Sequence, residues 1–231
     1  MKKILSILVI GLIFLLAACG DDEKEDNASK EANTNPQEVK MEKDEIVADD
    51  KVVIEINDTE VKGDRYNAVY LQTKMRVAQF GQDTGDKENI KEVTMNELIA
   101  QELIKQEATK SGIEVSDEDV QKEFEELKSQ NEDNFNEYLE RFKLTEESLK
   151  DQIRFSQTLS NYMEQEIKVE EVTDEDIKET YEQLKKDMDD IMTFEEAEPI
   201  IKNQLTSQRK ADALQQKVED LMKQSEIEKH I

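Results

Sequence analysis

Residues 179–199 read "ETYEQLKKDMDDIMTFEEAEP". The chain keeps helical spacing on both sides of this stretch, so the stretch is a join between two helices. Only 12 residues, 182–193, separate Tyr181 from Phe194. A chain that short cannot bury a core of its own. The two helices therefore belong to one unit, with no domain between them. Thr193 followed by Glu196 is a capping-box pattern that restarts a helix. Pro199 lies beyond the first turn, which predicts a kink or a later start.

Upstream, helical patterns dominate. Tyr66, Val69, Tyr70, Thr73, Val77 and Phe80 keep a three/four spacing, the signature of one buried helix face. Met95, Leu98, Ile99, Leu103 and Ile104 mark a second helix, which Gly112 closes. Leu149, Ile153, Leu159, Met163 and Ile167 mark another, and Ile201, Leu205, Ala211, Leu214, Val218 and Leu221 a long final one. "KVVIEINDTEV" (residues 51–61) alternates weakly about Asn57-Asp58, a pair that tolerates turn geometry, and is read as a small β-hairpin. "IEKHI" at the end is a candidate last strand. The expected fold class is mainly α with these few strand residues.

One segment repeats. "VSDEDVQKEFEELK" (residues 115–128) and "VTDEDIKETYEQLK" (residues 172–185) are identical at seven of 14 positions. Each opens with a hydroxyl cap and early acidic residues, which suit the positive end of a helix. Each then presents one apolar face: Val120, Phe124, Leu127 and Ile177, Tyr181, Leu184. A duplicated unit and two independent good helix starts both fit this pattern.

The first 18 residues are a separate matter. "MKK" is a positive start, "ILSILVIGLIFLL" a short apolar run, and "LAAC" sets small residues before Cys19. The run is too short for a spanning helix and ends in a cleavage pattern, so it is read as a signal peptide. "LAAC" also resembles the lipobox of bacterial lipoproteins. That resemblance implies diacylglyceryl attachment to Cys19, the only cysteine, and a mature chain held at the cell membrane on its extracytoplasmic face. Two or more acyl chains anchor stably where one does not. Residues 19–50 are acidic and poorly apolar, and are expected to be a disordered tether of roughly 30 Å. The folded unit is then 51–231.

The charge excludes some functions. With 57 acidic and 31 basic residues the chain carries a net charge of −26. Phosphate backbones are repelled, so nucleic acid is not an expected partner. His230 is the only histidine. No zinc pattern, Ser-His-Asp triad or Gly-rich phosphate loop can be assembled, and the acidic runs lack the EF-hand spacing and its glycine. No catalytic residue, metal ligand or cofactor is assigned. One helix stands out, because residues 64–80 carry a second apolar line, Leu71, Met75 and Ala78, opposite the aromatic one. Such a helix is either sandwiched in the fold or partly open to a partner. Leu71 and Met75 are the candidate client-binding residues, methionine being adaptable to varied partners.

At this point a family resemblance enters. "LIAQELIKQEATKSGIEVSDEDV" (98–120) resembles the helix-turn-helix of SurA/PrsA-type extracytoplasmic foldases, and "FNEYLERFKLTEESLKDQIR" (135–154) their next segment. "VVIEINDTEV" is similar to their first strand and turn, with Asn57-Asp58 where Asn-Gly is usual. Lys143 stands where a helix-ending glycine is common, so the turn there is expected to differ from the family's. The resemblance covers residues 51–228. It implies a chaperone domain whose partners are unfolded or secreted polypeptides, bound without ATP. In that family, helices like 172–185 and 193–205 lead into and out of a parvulin prolyl-isomerase domain of roughly 90 residues. Here 12 residues stand in its place. The expectation is a lipid-anchored holding chaperone that is not an enzyme. A prolyl isomerase with an unrecognised site and an assembly lipoprotein with one dedicated partner remain as alternatives.

Overall fold

The structure is a computed structural model that describes residues 39–131, 134–187 and 191–231. The expected signal peptide, Cys19 and the tether up to residue 38 lie outside the described residues.

Alternating apolar residues build the sheet. Val52–Ile56 (β1) and Thr59–Lys62 (β2) pair antiparallel, with Ile54 opposite Val61 and Ile56 opposite Thr59. Asn57 turns the chain at φ 53°, the left-handed region that asparagine tolerates. Ile227–Lys229 (β3) pairs antiparallel with the other edge of β1, giving the order β2-β1-β3. The candidate strand at the C-terminus is therefore real. Asn57 also locks the closure. Its N–H donates to the Glu226 carbonyl at 2.8 Å, its Oδ1 accepts from the Glu226 N–H at 3.2 Å, and its Nδ2 donates to Gln106 Oε1 at 2.7 Å.

Seven helices follow the hairpin among the described residues: α1 (Gly63–Gln79), α2 (Lys87–Lys110), α3 (Asp117–Gln130), α4 (Phe135–Arg141), α5 (Glu146–Gln165), α6 (Asp174–Asp187) and α7 (Phe194–Gln224). Asp86 caps α2 by accepting from the Asn89 N–H. Gly112, at φ 74°, lets Ile113 N–H donate back to the Ala108 carbonyl and so stops the helix. Thr145 and Ser148 exchange hydrogen bonds in a capping box that starts α5.

The apolar faces collect into three clusters. The largest joins the sheet to α1, α2, the end of α5 and the C-terminal half of α7, around Ile54, Tyr70, Leu98, Ile99, Tyr162 and Leu214. The second gathers Val120 and Phe124 of α3 with Phe135, Leu139, Leu149 and Ile153 of α4 and α5. The third is small: Val172 and Ile177 against Ala197 and Ile201, where α6 meets the start of α7. The 31-residue α7 is thus shared. Its first half pairs with α6, and its second half packs on α2, where Lys217 Nζ meets Glu107 Oε1 at 2.6 Å.

Four details differ from the sequence reading. Residues 39–50, expected within the disordered tether, form a turn and a strap packed on α1, because Glu45 finds buried partners there. The helix before the join runs on to Asp187, two residues past Lys185, and the next begins at Phe194. Pro199 does not delay α7, since the Glu196 carboxylate accepts from the Thr193 N–H and hydroxyl and fixes the start at Phe194. Lys143 adopts the left-handed geometry of the glycine it replaces, at φ 53°.

Candidate functional site

α1 is the helix on which sequence and structure converge. Its aromatic face is core: Tyr66 and Tyr70 are buried with their rings 5.6 Å apart. The opposite line is also covered. Leu71 is 2% exposed and Met75 half-buried, while Ala68, one turn before Leu71, joins the second cluster. Arg65 to Glu102 (3.2 Å) and Arg76 to Glu97 (2.8 Å) tie the flanks of α1 to α2. α1 is therefore sandwiched, and Leu71 is not presented at the surface in this conformation. The exposed large apolar side chains lie elsewhere: Phe80 just past the end of α1, Ile46, Tyr138, Met192 and Ile200.

Sequence reasoning missed the strap. Residues 42–51 cross the N-terminal half of α1 through two turns, closed by the Glu45 N–H on the Glu42 carbonyl and the Lys51 N–H on the Ala48 carbonyl, both at 3.0 Å. The Val47 N–H donates to Asn67 Oδ1 at 3.0 Å, and the Val47 carbonyl accepts from Asn67 Nδ2 at 2.7 Å. The Asp49 carbonyl accepts from the Asp64 N–H at 3.1 Å, and the Lys51 carbonyl from the Gly63 N–H at 2.9 Å. These are donors that the first turn of a helix leaves free. The approach is close enough that a Cβ on Gly63 would lie 2.0 Å from the Ala48 carbonyl oxygen.

One side chain of the strap is specifically received. Glu45, 5% exposed, accepts from Lys74 Nζ at 2.8 and 2.7 Å and from the Tyr70 hydroxyl at 2.7 Å. Burial opposes its ionisation, but the backbone hydrogen bond from Glu42 together with Lys74 and Tyr70 outweighs it, so the carboxyl stays below its usual range. Burial and the same carboxylate push the Tyr70 phenol up, and burial pushes Tyr66 up to about 12. The pair is satisfied at every acceptor, which a buried charge requires. The signal in the sequence was faint: Met41, Ile46 and Val47 in a polar run, and a lysine one turn after Tyr70 on an aromatic face.

The helices flanking the join are direct neighbours. The Tyr181 and Phe194 rings meet edge-on with centroids 5.3 Å apart, and the Tyr181 hydroxyl donates to the Met192 carbonyl at 2.9 Å. Arg209 of α7 reaches the Glu170 and Glu171 carbonyls and Asp176 Oδ2. On the outer face of the sheet His230 Nε2 lies 3.9 Å from Glu55 Oε2, with Glu228 beside them. Those three are the described residues closest to a metal-ligand set. They are half or fully exposed, and exposed acidic groups gather in this way without a metal. Among the described residues no helix is long and apolar enough to cross a membrane.

No curated protein matches the chain. The SurA-like N-terminal domain family matches residues 1–163, from the start of the chain to the last turn of α5. The hairpin, α1 to α4 and all but the last two residues of α5 lie within that match, and β3, from outside it, completes their sheet. The chain belongs to the SurA-like N-terminal domain family.

Proposed function

We propose that this protein is an ATP-independent holding chaperone of the extracytoplasmic membrane face, anchored by lipid on Cys19 and carrying no prolyl-isomerase domain. Family membership supports a polypeptide-binding, chaperone-like role. The observation that carries the finer reading is the direct pairing of α6 with α7, in the place where the resembling foldases carry their parvulin domain. The "LAAC" junction supports the anchor, and the tether then sets the folded unit off the membrane.

The mechanism is passive. Apolar client segments gain about 25 cal/mol for each Å² they remove from water, and no nucleotide is consumed. The net charge of −26 keeps the loaded complex soluble by repulsion between complexes. Leu71 and Met75 take part only if α1 loosens from its neighbours, because Leu71 is covered in the closed fold.

A proline-limited refolding reaction, run beside a pull-down, tests the reading. The account expects no acceleration of the slow phase, which takes tens to hundreds of seconds uncatalysed, and capture of many unfolded chains. Acceleration abolished by a parvulin inhibitor makes it an isomerase. A single stoichiometric partner makes it an assembly lipoprotein.

A further inference from the structure

We propose that Glu55, Glu228 and His230 form a binding site for one divalent transition-metal ion of the zinc class, and that the ion clasps the closing strand β3 to β1.

Backbone geometry brings the three together. Glu55 lies directly opposite Glu228 in the antiparallel pair of β1 and β3. His230 follows Glu228 by two residues, and side chains two apart share one face of a strand. The His230 N–H donates to the Val53 carbonyl at 2.9 Å, which carries the pairing one residue beyond Lys229 and holds the histidine in register. One donor atom from each residue then lies within 4.8 Å of the other two, and His230 Nε2 lies 3.9 Å from Glu55 Oε2. Ligand atoms held at about 2.0–2.2 Å by a tetrahedral zinc stand roughly 3.5 Å apart. Small side-chain rotations close that gap, because Glu228 and His230 are exposed and Glu55 is only half-buried.

Two observations separate this group from the acidic residues scattered over the surface. The first is the donor set. His230 is the only histidine of the chain, and it falls beside two carboxylates. One imidazole with two carboxylates is a zinc-type set, whereas calcium and magnesium are held by oxygen ligands. The second is unrelieved charge. Glu60 stands opposite Glu55 on the other side, so three glutamates form one row across β2, β1 and β3. Like charges directly opposite one another weaken a sheet. Among the described residues no lysine or arginine forms an ion pair with any of the three. A cation held between Glu55 and Glu228 turns that repulsion into attraction.

The site is complete only when β3 is docked. One ligand comes from β1, at the start of the sheet, and two from the segment directly after α7. The ion therefore binds the closed sheet and stabilises that closure by mass action. Because α7 leads straight into β3, the clasp also fixes the C-terminal end of the helix that the body shares with α6. Three protein ligands leave a coordination position to water, and the exposed setting lets the ion enter and leave without unfolding of the core.

Zinc chloride titrated into the untagged full chain, with the Cys19 thiol alkylated, tests the proposal. A chain with one histidine gives one set of imidazole proton signals. These are expected to shift or broaden completely by one equivalent of zinc, and to stay in place with a tenfold excess of magnesium. The His230 amide is expected to exchange at least tenfold more slowly with zinc present. His230→Ala and Glu228→Gln should each weaken zinc affinity at least tenfold in calorimetry and abolish the slowing. Without metal both variants should melt as the wild type does, or slightly higher for Glu228→Gln, which relieves the repulsion. An imidazole signal untouched by excess zinc overturns the proposal on the wild-type chain alone. Equal zinc binding by wild type and His230→Ala also overturns it, because the metal then sits on acidic runs elsewhere.

Discussion

α3 and α6 begin with nearly the same sequence and end in different surroundings. Both are capped alike: Ser116 accepts from the Asp119 N–H at 3.1 Å, and Thr173 from the Asp176 N–H at 3.2 Å. An arginine from a partner helix clamps each start, Arg154 on Asp117 and the Val115 carbonyl, Arg209 on Asp176 and the Glu171 carbonyl. Beyond the caps they diverge. Phe124 of α3 is 1% exposed, edge-on to Phe135 and covered by α5, whereas the equivalent Tyr181 of α6 is half-buried, edge-on to Phe194 of α7. Local sequence sets where a helix starts. The number of partners sets what it contributes to stability. α3 is part of the folded body, and α6 is one arm of an outlying hairpin.

That contrast ranks the expected effects. Phe124→Ala removes a fully buried ring and should cost about 3–5 kcal/mol, seen as a lower melting midpoint of the whole chain. Tyr181→Ala should cost about 1 kcal/mol, the scale of one edge-on aromatic pair. Its effect should be confined to faster amide exchange in α6 and the first turns of α7, with β1 unchanged. Equal losses from the two would erase the distinction between body and hairpin.

The caps sharpen the same comparison. Ser116→Ala and Thr173→Ala should each cost about 1 kcal/mol, the first read in global melting and the second in local exchange of α6. Acid should separate them further. Hydrogen bonds from the Thr173 N–H and hydroxyl, with Arg209 beside them, hold the Asp176 carboxyl below the usual aspartate range. A depressed folded value contributes stability that is present above the unfolded value and is lost as pH falls through the folded one. Amide shifts of α6 should therefore move as pH drops below the ordinary aspartate range, while those of β1 hold. Movement of both together would contradict the local origin.

Two smaller effects follow. Lys143 is exposed and sits at φ 53°, where a side chain is strained. Lys143→Gly should raise the stability of the α4–α5 corner by about 0.5–1 kcal/mol, the scale of backbone substitutions matched to their conformation. A loss would show that the turn gains something from lysine. Smallest of all, a foreign parvulin domain inserted between Asp187 and Ile191 should leave the melting of the body unchanged, because closure entropy grows by only about 0.6 kcal/mol per doubling of length.

Much of this was readable beforehand. Spacing located the helices, Asn57-Asp58 the hairpin, Gly112 a helix end, and "IEKHI" the closing strand. These signals are local, carried by residues a few positions apart. What escaped depends on distant partners. Glu45 reads as tether until Lys74 and Tyr70, 25 and more residues on, are seen to bury it. Leu71 left two readings open, sandwiched or facing a partner, because nothing in α1 alone says that neighbouring helices cover both faces. Lys143 shows the reverse, a local preference overruled by the chain on either side.

The most direct test of the account is aggregation of an unfolded substrate followed by light scattering in the presence of the full chain without nucleotide. The account predicts suppression that grows with added chain, completes near stoichiometric ratios and is unchanged by ATP. Scattering that rises at the uninhibited rate with the chain in excess would contradict it.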